Sequence, residues 1–178
     1  MTTAIVTLGT KDNREGCQPL MDSLEKHSPP PSTVDKLVLC DFDDPPVDFA
    51  VSVPVTVDYS DLLLDDKDAA KKFFMFLLPY NQVIYLDSKL MCTGDLSVLW
   101  SEQLNQHLLY AKHLPDGGID DRVMVFNHDR QLGFHDAFLY LARVHMFDGY
   151  GKTSRDMLNG YFCHTKRKVG NLQGLNIR

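Results

Sequence analysis

The sequence is poor in the features that announce chemistry. Its four cysteines, Cys17, Cys40, Cys92 and Cys163, lie far apart, and no C-x-x-C occurs. That excludes a zinc ribbon and a dithiol redox pair. Among the seven histidines, His128, His135 and His145 fall into no H-x-x-x-H or H-E-x-x-H spacing. They read as surface or helix-end residues rather than metal ligands. There is no G-x-G-x-x-G and no Walker lysine, so the two glycines of HLPDGGIDD (residues 113–121) do not make a phosphate cradle by themselves. There is no G-x-S-x-G either, which leaves Ser154 without the setting of a hydrolase nucleophile. No apolar run reaches 18 residues, and the opening MTTAIVTLGT has neither a basic start nor a long apolar stretch. Neither a membrane span nor a leader is expected. With the unpaired cysteines, this reads as a reducing, cytoplasmic setting.

What the chain does hold suits a single packed domain spanning residues 1–178. A domain of 178 residues buries about 70% of its unfolded surface, and 44% of these residues are hydrophobic, with seven methionines and ten phenylalanines. Cys40 and Cys92 sit in or beside apolar runs and are expected as reduced core thiols. The net charge of −6 argues against a nucleic-acid partner. The charge is uneven. Eight aspartates and no basic residue occur between Asp41 and Asp66. Residues 157–178 contain no acid but carry Lys166, Arg167, Lys168 and Arg178. These stretches read as a solvated loop and a solvated basic tail, the second also able to meet a phosphate or a protein partner.

Hydrophobic patterning alternates strands with helices. The expected strands are Ala4–Leu8, Lys36–Asp41, a Val51–Val57 stretch held at an edge by Pro54, Gln82–Asp87 and Arg122–Asn127. Expected helices start near Gln18, with Pro19 in the first turn, and at Asp65 or Asp66, ending at Pro79. Further helices are expected over residues 130–147 and 154–162. The apolar FFMFLL (Phe73–Leu78) is core first and partner surface second. The order predicts an α/β sandwich with a largely parallel sheet. VIYL (Val83–Leu86) is apolar on both faces, as a central parallel strand should be. Ligands in such sheets bind beyond the carboxyl ends of the strands, and Asp87 sits at one such end.

Four segments carry a resemblance. YNQVIYLDSKLMCTGDLSVLW (Tyr80–Trp100) resembles Y-x-x-V-I-Y-L-D-x-D followed by an apolar D-L-x-x-L-F helix. AIVTLGT resembles a V-T-L-x-T first strand, DSLEKH an S-L-x-x-H helix end, and MFDGYGKTSRDMLNGYF the pattern F-D-G-x-D-Q-x-x-L-N-x-Y-F. Together, in order and spacing over about 160 residues, they resemble glycosyltransferase family 8, the glycogenin-like group. The resemblance implies the GT-A nucleotide-sugar fold, which is Rossmann-like. It also implies a UDP-sugar donor whose diphosphate is bridged by Mn²⁺ or Mg²⁺ on the D-x-D carboxylates, and a lysine on the sugar diphosphate. Carried onto this chain, the donor-site positions are Leu8, Gly9, Thr10, Lys71, Asp87, Ser88, Lys89, Asp120 and Asp121.

The departures fall where that chemistry lives. Lys89 stands in place of the second aspartate. Two unit charges about 4 Å apart repel by about 4 kcal/mol at an effective ε of about 20, and a divalent ion roughly doubles that. Ser154 and Arg155 stand where the family reads D-Q. Arg122 replaces a glycine of the family's F-N-S-G, and the chain ends at Arg178 before the family's metal-binding histidine segment. Asp87 is the only retained D-x-D carboxylate and otherwise caps the turn that follows it. No cofactor is expected, and Mn²⁺ or Mg²⁺ only if the degenerate motif still binds metal. The reading is a pseudo-glycosyltransferase that binds a UDP-sugar weakly or meets a protein partner through its apolar or basic C-terminal surface. The alternative is an active, metal-independent hexosyltransferase with Lys71 and Lys89 on the diphosphate.

Overall fold

A computed structural model describes residues 2–11, 13–41, 50–101, 103–128, 133–145 and 151–178. Strands β1 (Thr3–Gly9), β2 (Val34–Cys40), β3 (Val51–Pro54), β4 (Gln82–Leu86), β5 (Leu109–His113), β6 (Ile119–Asn127) and β7 (Gly170–Asn171) form one sheet. Its order is β3-β2-β1-β4-β6-β5-β7. Strands β3, β2, β1 and β4 are mutually parallel, while β6 runs antiparallel to both β4 and β5. The expected mixed α/β architecture with a largely parallel sheet is present, and β4 lies at its centre.

Alternation along the strands builds two cores. Ala4, Val6 and Leu8 of β1 and Val83 and Tyr85 of β4 face one layer. Ile5, Ile84 and Leu86 face the other. Helix α1 (Cys17–His27) covers the second face with Leu20, Met21 and Leu24. Pro19 sits in its first turn, where a missing N–H costs no helical bond. The first face is covered by α3 (Phe134–His145), α4 (Ser154–His164) and residues 67–77, whose aromatic rings interlock: Phe76 lies 4.7 Å from Phe126 and 4.8 Å from Phe134.

Several elements differ from expectation. The helix predicted up to Pro79 is α2 (Lys67–Ala70) followed by a 3₁₀ helix over Lys71–Leu77. Three residues per turn eclipse positions i and i+3, and Phe73 stacks on Phe76 at 5.9 Å with only 11° between the rings. Strand β3 is shorter than predicted, an exposed edge strand ending at Pro54. Residues 157–178 are not a solvated tail. Met157, Leu158, Tyr161 and Phe162 are buried in α4, β7 pairs with β5, and the last residues bond to Met91–Thr93. The apolar stripe of α4 outweighs its neighbouring cations, which stay exposed at residues 166–168. His135 is at a helix start as expected, but it is buried, with Nε2 2.9 Å from the Tyr59 hydroxyl. None of the four cysteines is in a disulfide, and Cys163 alone is exposed. Residues 129–132 and 146–150 of the predicted helix and of the fourth resembling segment lie outside the described residues. Among the described residues, no helix is long and apolar enough to cross a membrane.

Candidate functional site

The carboxyl ends of β1, β2 and β4 and the start of β6 meet along one edge. Strands β1 and β4 run parallel with Val6 beside Tyr85, so they end side by side. Beyond β1, Thr10 closes a turn, its amide and hydroxyl both donating to the Asn13 side-chain oxygen at 2.5 and 3.0 Å. The chain then enters α1 through Gly16, whose missing side chain lets it abut Ser88. A Cβ there would stand 2.3 Å from the Ser88 carbonyl oxygen. Leu8, Gly9 and Thr10 are thus brought beside Asp87 and Ser88.

Asp87 is held by the backbone. Its amide donates to the Arg122 carbonyl at 2.8 Å, and its carboxylate accepts the Lys89 amide at 2.9 Å, an Asx turn. The turn-capping role expected for an aspartate at this position is therefore filled. Lys89 is exposed, and its ammonium has no partner among the described residues. The Ser88 hydroxyl is buried and likewise unpartnered among them.

Across the edge a second set of charges closes on itself. Lys72, buried, donates to the Asp121 carboxylate and, at 2.9 Å, to the Ser154 hydroxyl. The Ser154 hydroxyl and amide both donate to Asp66, at 2.6 and 2.7 Å, at the first turn of α4. A carboxylate at a helix N-terminus is stabilised by the orphan amides and the helix dipole. Arg155 Nε donates to the other oxygen of Asp121 at 3.1 Å. Arg122 holds Asp120 by two bonds, from Nε at 2.9 Å and Nη2 at 2.6 Å. Two carboxylates, Asp120 and Asp121, thus face three cations, while Asp66 is held by Ser154. Burial alone would raise the Asp121 carboxyl, but Lys72 and Arg155 hold it below the usual carboxylate range. The fork from Arg122 lowers Asp120 in the same sense.

The sequence-derived residues divide into two groups. Leu8, Gly9, Thr10, Asp87, Ser88 and Lys89 come together at the strand ends, and Asp120 and Asp121 lie one strand away. Lys71 is turned elsewhere, donating to Asp41 at 2.5 Å and to Asp68 at 2.7 Å. Its neighbour Lys72 is the lysine that reaches the acidic pair. The 3₁₀ turn explains the exchange. Lys71 shares a face with Phe74 and Leu77, the latter 43% exposed, while Lys72 shares one with buried Met75. The signal was the Lys-Lys doublet itself, read with a period of three instead of 3.6. Arg155 and Asp66 had no such signal, because their partners are distant in sequence.

A divalent cation does not fit this donor set. Asp87 offers one carboxylate, already bonded to an amide, and the second position of the motif, Lys89, carries an ammonium group. Asp120 and Asp121 are committed to Arg122, Lys72 and Arg155. Mg²⁺ and Mn²⁺ need about six oxygen ligands. Among the described residues, no three His, Cys, Asp or Glu side chains gather to hold a metal ion.

Neither a family profile nor a curated protein matches the sequence. Solved structures do match. The glycosyltransferase GlyE of Streptococcus pneumoniae TIGR4 superposes with a TM-score of 0.68 at 17% identity, over 96% of this chain and 45% of that one. The galactosyltransferase LgtC, in complex with donor and acceptor sugar analogs, gives 0.67 at 13% identity, over 98% of this chain and 85% of that one. Mouse xyloside xylosyltransferase 1 gives 0.66 at 12% identity, over 95% and 84%. The chain therefore spans less than half of GlyE and most of the other two. The likeness establishes the fold, that of the GT-A glycosyltransferases.

Proposed function

We propose that this chain is a catalytically reduced glycosyltransferase-fold domain of the glycogenin-like kind, which recognises a UDP-sugar weakly and without metal, in a cytoplasmic setting. One observation carries the reading: beside Asp87, whose D-x-D partner position holds Lys89, the carboxylates Asp120 and Asp121 are taken up by Arg122, Lys72 and Arg155 and are not free for a metal. In this reading the strand-end turns, Leu8–Thr10 and Asp87–Lys89, line the nucleotide side. Lys89, without a counter-ion, supplies a point charge for the diphosphate. Lys71 would join it only by releasing Asp41 and Asp68.

The test is an assay for UDP release from a panel of UDP-hexoses, alone and with simple sugar acceptors. Release no faster than in buffer is expected. Turnover that survives EDTA and is lost in Arg122→Ala or Lys89→Ala would overturn the reduced-enzyme reading. It would favour an active, metal-independent hexosyltransferase. That second reading has its own support in Arg122 and Arg155, whose side chains are 53% and 43% exposed and could swing to a leaving diphosphate.

A further inference from the structure

Beside this edge lies a cavity of about 370 Å³, between the end of β5, the start of β6 and the segment 171–178. Its roof is pinned at both ends. Leu172 N donates to the Ala111 carbonyl at 3.0 Å, and Met91 and Arg178 exchange backbone bonds at 2.7 and 3.1 Å. Between the pins the chain arches through Gly174, which adopts φ +69°. The strand pair beneath is irregular: its register shifts between Ala111 and Lys112, setting Lys112 opposite Asp120. Bulges of this kind re-aim side chains next to sites.

Among the side chains that line the cavity, Lys112, Arg122 and Arg178 outnumber the one carboxylate, Asp120. Asp120 gives both oxygens to Arg122, so it does not serve Lys112. The Lys112 ammonium and the Arg178 guanidinium have no side-chain partner among the described residues. Two cations without a side-chain partner among the described residues thus line an enclosure with the apolar floor of Leu90, Val123 and Leu172. Asn171 and Gln173 add amide groups to the wall. Cations fix an anion, amides meet hydroxyls, and an apolar floor suits the C–H face of a sugar ring.

We propose that this cavity binds a small anionic carbohydrate, a sugar ring bearing a carboxylate or a phosphate, with Lys112 and Arg178 on the anionic group. That the ligand is a carbohydrate rests on the glycosyltransferase-fold reading above; that it is anionic rests on the cavity alone. The experiment is calorimetric titration of the protein with glucuronic acid, glucose 6-phosphate, glucose and inorganic phosphate, repeated with Lys112→Gln. The first two probes separate carboxylate from phosphate. At least one of them should bind tenfold or more tightly than both glucose and inorganic phosphate. Lys112→Gln should erase about tenfold of that preference, with an unchanged unfolding midpoint, because Lys112 is exposed. Glucose binding as well as the anionic sugars, inorganic phosphate binding as well as they do, silence from both sugars at millimolar concentration, or full affinity in Lys112→Gln would each overturn the proposal. A UDP-sugar that fails to bind while glucuronic acid succeeds defeats the donor-site reading and leaves this one standing.

Discussion

Lys71 and Lys72 are adjacent in the chain and opposite in surroundings. Lys72 is buried against a buried carboxylate, and removing one member of such a pair leaves a charge without compensation. Lys72→Met is expected to lower stability by about 3 kcal/mol in chemical denaturation, the remaining Arg155 contact limiting the loss. Lys71→Met, which breaks partly exposed pairs, is expected to cost about 1 kcal/mol or less. Equal losses would mean that the buried network is not what holds this edge. Titration gives a second test. Burial holds the His135 imidazole below its ordinary value of 6.5. A group depressed in the folded state contributes stability above its unfolded value and loses it as pH falls through the folded one. Stability should therefore begin to decline below pH 6.5, and His135→Gln should remove that first stage. Asp120 and Asp121 are depressed below 3.8, so their share persists to about that pH and disappears only beneath it. A single acid transition, unchanged in His135→Gln, would contradict this assignment.

Among elements, the contact that aligns the site is Gly16 against the turn after β4. Its backbone is ordinary, with φ −78°, so only space is at stake. Gly16→Ala should cost about 1–3 kcal/mol, since a backbone carbonyl must move to admit the methyl group. A thermal midpoint equal to wild type would show that the turn yields freely. Strands β1, β2 and β4 were legible because continuous apolar runs ending at turn residues have few alternatives. Strand β5 carries little sequence signal, although Leu108–Ala111 is apolar, because His107, Lys112 and His113 blur its ends. The tail strand was hidden because two residues of β7 have no pattern of their own, and the bond to Met91–Thr93 is long-range. The first part of β6, Ile119–Asp121, was hidden by two buried aspartates that sequence patterning places in a loop. Their burial is compensated by Arg122 on Asp120 and by Lys72 and Arg155 on Asp121, so the same ion network accounts for the hidden strand start.

For the molecule as a whole, the fold is that of the GT-A glycosyltransferases, and the carboxylates Asp120 and Asp121 beside its strand-end cleft are held in internal ion pairs. The fold is visible in the order of the sheet and in the likeness to GlyE, LgtC and the xylosyltransferase. The ion pairs are visible only in side chains. The most direct measurement is isothermal titration with UDP-glucose in Mn²⁺, repeated in EDTA. Weak binding is expected, with a Kd of about 0.1 mM or higher, equal in both buffers, and about tenfold weaker in Lys89→Ala. Tight binding that requires Mn²⁺ and is abolished by EDTA would contradict that expectation.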